Sequence, residues 1–161
     1  MDALIRVAEE RDAEAACQVL RRSITECCLE DHGGDQSLLE PWLANKTPEN
    51  VREWLNDPST YAVVAEADGV IVGLAMLLES GEITLCYIVP EVRFSGVGKA
   101  LLAQLELDGW KRGLAELRLH STKTAHAFYT RNGFEYSGSP ESWCGLECYP
   151  MVKTLGTQSP N

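Results

Sequence analysis

Val89-Pro90-Glu91-Val92-Arg93-Phe94-Ser95-Gly96-Val97-Gly98-Lys99-Ala100 reads as a strand that ends, a short turn, and a helix that begins. Pro90 ends the strand because it has no N–H to give to a ladder. At a helix start the first backbone N–H groups lack intrahelical partners and point outward with the positive end of the macrodipole. Gly96 and Gly98 carry no Cβ, so an anion can approach this backbone closely. Arg93 and Lys99 add positive charge at either side. The turn has the make-up of an anion site, and a diphosphate is its natural ligand. From these residues alone, a plain glycine-containing loop before a helix fits equally well.

Two other phosphate turns fit less well. A GxxxxGK[ST] loop needs an earlier glycine and a hydroxyl after the lysine, and Ala100 takes the hydroxyl position. A GxGxxG fingerprint needs a third glycine where Leu101 stands. The segment also lies in mid-chain, after several strands with an antiparallel pattern, and not at a first βα turn.

On the N-terminal side, Leu4 to Val7 reads as a strand, and Ala16, Cys17, Leu20, Ile24 and Cys27 recur at helical spacing. His32-Gly33-Gly34-Asp35 signals a loop between Glu30 and Gln36. Thr47 and Pro48 open a second helix that ends at Asn56-Asp57-Pro58. Tyr61–Glu66 and Val70–Leu78 flank Ala67-Asp68-Gly69, a hairpin turn, and a third strand spans Glu82 to Val89. On the C-terminal side a helix runs from about Gly96 to Arg112, closed by Gly113. Leu117–His120 alternates as a strand, Ala125–Tyr129 forms a short helix that Asn132-Gly133 terminates, and two strands follow near Phe134–Ser137 and Leu146–Lys153. This order predicts one mixed α/β (α+β) domain over residues 1–155, with residues 156–161 as a flexible tail.

The chain has 161 residues, 45% hydrophobic and 24% charged, within the range of a folded globular domain. A net charge of −10 disfavours non-specific nucleic-acid binding and suits a cationic partner such as an amine. The first residues are charged and hold no apolar leader core, and no apolar run approaches a membrane span, so a cytoplasmic protein is expected. The six cysteines are expected to be free thiols. Cys144 and Cys148 lack the further ligands that a zinc site needs, so no metal is expected.

Arg93-Phe94-Ser95-Gly96-Val97-Gly98 resembles the Gln/Arg-x-x-Gly-x-Gly/Ala signature of the GNAT superfamily of acetyltransferases. Cys86-Tyr87-Ile88-Val89-Pro90-Glu91 is similar to the strand that precedes it there. Ala125-His126-Ala127-Phe128-Tyr129-Thr130-Arg131-Asn132-Gly133-Phe134 resembles the family's Ala-x-x-Phe-Tyr-x-x-x-Gly-Phe. The resemblance covers residues 4 to 153. It implies a GNAT fold: a mixed central sheet of six to seven strands with a splayed central pair, flanked by about four helices.

The resemblance further implies acetyl-CoA as co-substrate and direct transfer of the acetyl group to a primary amine. Ile88 and Val89 would offer backbone groups to the pantetheine arm. The amides of Gly96, Val97, Gly98, Lys99 and Ala100 would hold the pyrophosphate, with Arg93 at the entrance and Phe128 beside it. Thr122 stands where many relatives carry an Asn that contacts the arm. Tyr129 matches the family's general acid, and Glu82 is the leading base, expected to face the same side as Thr84, Cys86 and Ile88. His120 is the alternative base.

The acceptor, a small-molecule or peptide amine, is expected between Glu30–Asn45 and Gly138–Cys148. These segments hold Glu30, Asp31, His32, Asp35, Trp42, Glu141, Trp143 and Glu147. Relatives suggest a homodimer by analogy. A non-catalytic acyl-CoA-binding module on the same fold is the alternative reading, and a nucleotide-binding protein using the same turn is a third.

Overall fold

The computed structural model describes residues 2–156; the tail expected at the C-terminus lies, from residue 157 on, outside them. Eight strands form one sheet: β1 (Leu4–Val7), β2 (Thr60–Ala67), β3 (Val70–Leu78), β4 (Glu82–Ile88), β5 (Glu116–Thr122), β6 (Glu135–Tyr136), β7 (Glu141–Trp143) and β8 (Leu146–Thr154). Their order is β1-β2-β3-β4-β5-β8-β6, and β7 pairs with β8. All neighbours are antiparallel except the central pair β4–β5, which is parallel.

Helices cover both faces. α1 (Ala13–Cys27) and α4 (Pro48–Asn56) pack on one face through Ala13, Ala16, Leu20 and Val51, against Val64, Leu74 and Leu85. α5 (Val97–Lys111) and α6 (His126–Arg131) pack on the other through Leu101, Leu105 and Tyr129, against Val63, Ala75, Ile83 and Leu119. Thr47 caps α4 by accepting from the Asn50 amide at 3.1 Å, with Pro48 at the first helical position. Asp68 (φ 52°) and Gly69 (φ 78°) make the two-residue turn between β2 and β3.

Two local expectations are corrected. The loop expected between Glu30 and Gln36 is present but shortened to residues 33–35, because α2 (Leu29–His32) and α3 (Gln36–Leu43) flank it and bring the helix count to six. Gly33-Gly34 forms the turn between them, with Gly33 at φ 57°, and Asp35 caps α3 by accepting from the Ser37 amide at 2.9 Å. The other correction is β7, which raises the strands above seven. Its residues are exposed on both sides, so no alternation marks it. The hairpin instead rests on Cys144 (φ 48°) and Gly145 (φ 83°), the positive pair that a tight turn requires.

One polar contact anchors β1 to the sheet's flank. Asp12, nearly buried, takes two bonds from the Arg6 guanidinium at 2.8 and 3.0 Å and one from the Glu9 amide at 2.7 Å. The hydrogen bonds from Arg6 hold the Asp12 carboxyl below its ordinary 3.8. A carboxyl with a depressed folded value stabilises the fold above its unfolded value. That contribution is lost as pH falls through the folded one. Asp12→Asn is therefore expected to cost about 2 kcal/mol at neutral pH, read as a lowered Tm, and the deficit should shrink in acid.

Candidate active site

β4 and β5 pair only at their first turns, through Glu82 with Arg118 and Ile83 with Leu119. Beyond that point they diverge. Cys86, Tyr87 and Ile88 pair only with β3, and His120, Ser121 and Thr122 pair only with β8. The Val89 amide donates to the Val72 carbonyl at 3.0 Å. In an antiparallel ladder the backbone groups of successive residues alternate sides. Those of Tyr87 and Val89 therefore face β3, and those of Cys86 and Ile88 face the gap. Of the two residues expected to serve the gap, Ile88 has the right orientation. Val89 does not: its N–H goes to Val72, its carbonyl accepts from the Val92 amide at 3.2 Å, and its side chain is in the core.

The gap opens into a cavity of about 560 Å³ that runs from α1 between the strands to α5 and α6. At its α5 end, Gly96 adopts φ 90°, a conformation that turns the chain into the helix and strains any other residue. The amides of Val97, Gly98 and Lys99 precede the first intrahelical bond and point out of the helix start. The Ala100 amide, expected to join them, already donates to the Gly96 carbonyl at 3.0 Å. Val97 turns its side chain into the core, and Gly98 faces the Phe128 ring, where an added Cβ would lie 3.5 Å from Cζ. Arg93 and Lys99 are exposed at the rim. This end of the cavity fits a diphosphate, because it offers unpaired N–H groups, a helix dipole and two cations.

At the middle of the cavity, the Tyr129 ring is buried between Phe128 and Phe134, edge to face, at centroid distances of 5.2 and 5.6 Å. Gly133 (φ 94°) reverses the chain after α6, and the Phe134 amide donates back to the Tyr129 carbonyl at 3.0 Å. The glycine and phenylalanine thus clamp the tyrosine. Burial, with the neighbouring Cys86 and Tyr87, holds the Tyr129 phenol well above its ordinary 10. Burial also pushes the Cys86 thiol up to about 11, so it keeps its proton at neutral pH. Thr122 Oγ1 accepts from the Ala125 amide at 3.1 Å and caps the approach to α6; its hydroxyl hydrogen is left for donation.

The direction of Glu82 differs from expectation. The β3–β4 register shifts between Met76 and Leu77, which pair with Leu85 and Ile83, so Thr84 is an extra residue on β4. The bulge puts Ile83 on the same face as Cys86 and Ile88, toward α5 and α6. Glu82 therefore lies on the opposite face, beside His120, with Oε1 4.0 Å from Nδ1. His120 Nε2 in turn lies 3.4 Å from Glu141 Oε2 on β7. His120 lines the cavity; Glu82 stands behind it.

Of the residues expected around the acceptor, several hold the fold together. His32 accepts from the Gly34 amide at Nδ1 (2.9 Å), so Nε2 donates to the Ile24 carbonyl (2.8 Å); the ring is neutral, buried, and edge-on to Trp42. Asp31 accepts from the Lys123 and Thr124 amides at 2.6 and 3.1 Å and ties α2 to the loop after β5. Asp35 caps α3. Glu30 lines the cavity, and Glu141 meets His120. Ser23 and Cys27 of α1 and Cys28 just after it also line the cavity, and Cys27 Sγ lies 3.9 Å from the Ile88 carbonyl. Their i, i+4 spacing places Ser23 and Cys27 on one helix face; Cys27 falls in the apolar stripe read from the sequence, and the Ser23 hydroxyl in that helix is the signal that could have found this face.

Residues 28–155 match the family model for the acetyltransferase (GNAT) domain. The chain belongs to the GNAT family. It is 34% identical over 124 residues to an amino-acid acetyltransferase of Pseudomonas syringae pv. syringae, covering 71% of this chain and 28% of that protein. An amino-acid acetyltransferase of Ralstonia nicotianae is 32% identical over 121 residues, 71% of this chain and 26% of that protein. The chain thus spans under a third of the length of these curated relatives. The fold is similar to a GCN5-related N-acetyltransferase from Rhodopseudomonas palustris (TM-score 0.85, 24% identity, covering 96% of this chain and 97% of that one). It is also similar to the PaiA N-acetyltransferase from Thermoplasma acidophilum solved with coenzyme A (TM-score 0.82, 23% identity, 96% and 100%). Among the described residues, no group of three or more His, Cys, Asp or Glu is placed to hold a metal, and no helix is long and apolar enough to cross a membrane.

Proposed function

We propose that this GNAT chain moves the acetyl group of acetyl-CoA directly to a primary amine of a small molecule or peptide. One observation carries the reading. The unpaired stretch of β4–β5 puts the Ile88 backbone edge, the α5 amides and the Tyr129 phenol along a single cavity. The Val97, Gly98 and Lys99 amides would hold the diphosphate, and the Ile88 edge would align the pantetheine arm as a strand does.

An alkyl ammonium must lose a proton before its nitrogen can attack, so a base is needed on the acceptor side. Glu82 and His120 form the basic group there. Tyr129, on the opposite face, keeps its proton at neutral pH and donates toward the departing sulfur. The protonated Cys86 thiol is a poor nucleophile, which supports direct transfer over an acetyl-cysteine intermediate. The likeness to amino-acid acetyltransferases puts α-amino acids first among acceptors.

Acetyl-CoA at about 100 times its Kd is expected to raise Tm by roughly 5–10 °C. Free thiol should then appear on adding an amine from a panel of amino acids, polyamines, aminoglycosides and N-terminal peptides. Binding without thiol release across that panel would leave an acyl-CoA-binding module. No binding at all would remove the reading.

A further inference from the structure

His120 is the one titratable side chain of β5 that lines the cavity, on the face away from Tyr129. Two carboxylates from different elements bracket its ring: Glu82 of β4 at 4.0 Å from Nδ1, and Glu141 of β7 at 3.4 Å from Nε2. Arg118, two residues earlier on the same face, is turned to the Ser80 carbonyl at 3.1 Å. Across the ladder His120 faces Pro150, which carries no charge. The separations exceed good hydrogen-bond lengths, so each leaves room for a water or an incoming N–H to bridge.

Resting on the amine-acetylation reading, we infer that His120 is the group that takes the proton from the acceptor ammonium. Glu82 and Glu141 act as positioning residues that set its ring from either side. His120 is the nearer candidate, because its side chain lines the cavity and that of Glu82 is not among the lining residues. An imidazole also matches the task better than a solvated carboxylate, which is a weak base at neutral pH.

The step balances. The ammonium gives one proton to the imidazole and becomes a free amine. The amine nitrogen bonds to the thioester carbon, and the carbon–sulfur bond breaks with its electron pair going to sulfur. The nitrogen's second proton replaces the one that Tyr129 gives to sulfur. The imidazolium, on a half-exposed side chain, returns its proton to solvent. Glu141 reaches this position because the β7–β8 hairpin folds back along β8, pairing Glu141 with Cys148, itself opposite Thr122.

The test is kcat/KM against pH for the wild type, His120→Gln, Glu141→Gln and Glu141→Asp, with acetyl-CoA affinity measured for each. His120→Gln is expected to lower kcat/KM by about 10²-fold and to remove the wild-type acidic limb, with acetyl-CoA affinity unchanged. Glu141→Gln should lower kcat with little change in KM, because the ring is no longer held in place, and Glu141→Asp should recover part of the loss. A His120→Gln enzyme with wild-type rate and limb overturns the relay while the acetyltransferase reading stands. A wild type that releases no thiol overturns both.

Discussion

Tyr129→Phe is expected to lower kcat by about 10³-fold while leaving acetyl-CoA affinity unchanged. The substitution removes one oxygen from a ring that is otherwise held by packing. Phe128 and Phe134 meet the ring edge to face, and the backbone bond from Phe134 closes the clamp whatever the para substituent. The phenol's polar neighbour is the Cys86 thiol, which is a weak acceptor and is left little worse off without it. The variant should therefore fold and bind as the wild type does. Its loss should fall on kcat, because the thiolate develops only as the carbon–sulfur bond breaks. A phenol held neutral by burial is suited to giving a hydrogen bond, not to receiving one from the acceptor. Single-turnover thiol release with saturating acetyl-CoA checks this. A Tyr129→Phe protein with wild-type kcat would make the ring a packing element alone.

The sequence made the donor side legible and left the acceptor side obscure, for physical reasons. Gly96, Gly133 and Tyr129 have backbone or packing requirements that few residues satisfy, so their spacing carries information. Strands β1 to β5 are legible as segments from alternation, and the β2–β3 pairing from the Asp68-Gly69 turn; the central parallel pair β4–β5 rests on the family resemblance. Alternation also misled: a bulge at Thr84 shifts the phase of β4, and no composition signal announces it. Glu82 therefore lies on the face opposite to the one that simple alternation predicts. The Ala100 and Val89 amides were misassigned because hydrogen-bond phase depends on where α5 and the β3 ladder begin, to a single residue. α3 was hidden behind a glycine pair and an internal Pro41, and β7 by its exposure. His32 and Asp31 looked like ligands for an acceptor because polar loop residues often are; their actual partners are backbone groups distant in sequence or across a turn.

Gly98→Asp is expected to weaken acetyl-CoA binding by roughly 10³-fold, on the order of 4 kcal/mol, without lowering the Tm of the free protein. Gly98 sits in the first turn of α5 and is not among the positive-φ glycines, so an aspartate can adopt its backbone conformation. A Cβ there meets Phe128 at ordinary van der Waals distance. An acid in the first turn complements the helix dipole, and removing a glycine reduces the freedom of the unfolded chain, so folding should hold or improve. The same carboxylate would stand over the amides that the diphosphate needs and repel its charge. Gly96→Ala provides the contrast. Its φ of 90° strains any side chain although the space around it is open, so it should lower Tm by the equivalent of about 1 kcal/mol. Calorimetric titration with acetyl-CoA and thermal melts of both variants separate the two effects. Wild-type affinity in Gly98→Asp would mean that the phosphates lie elsewhere. A loss of affinity at unchanged or raised stability is what a diphosphate seated on this helix start requires.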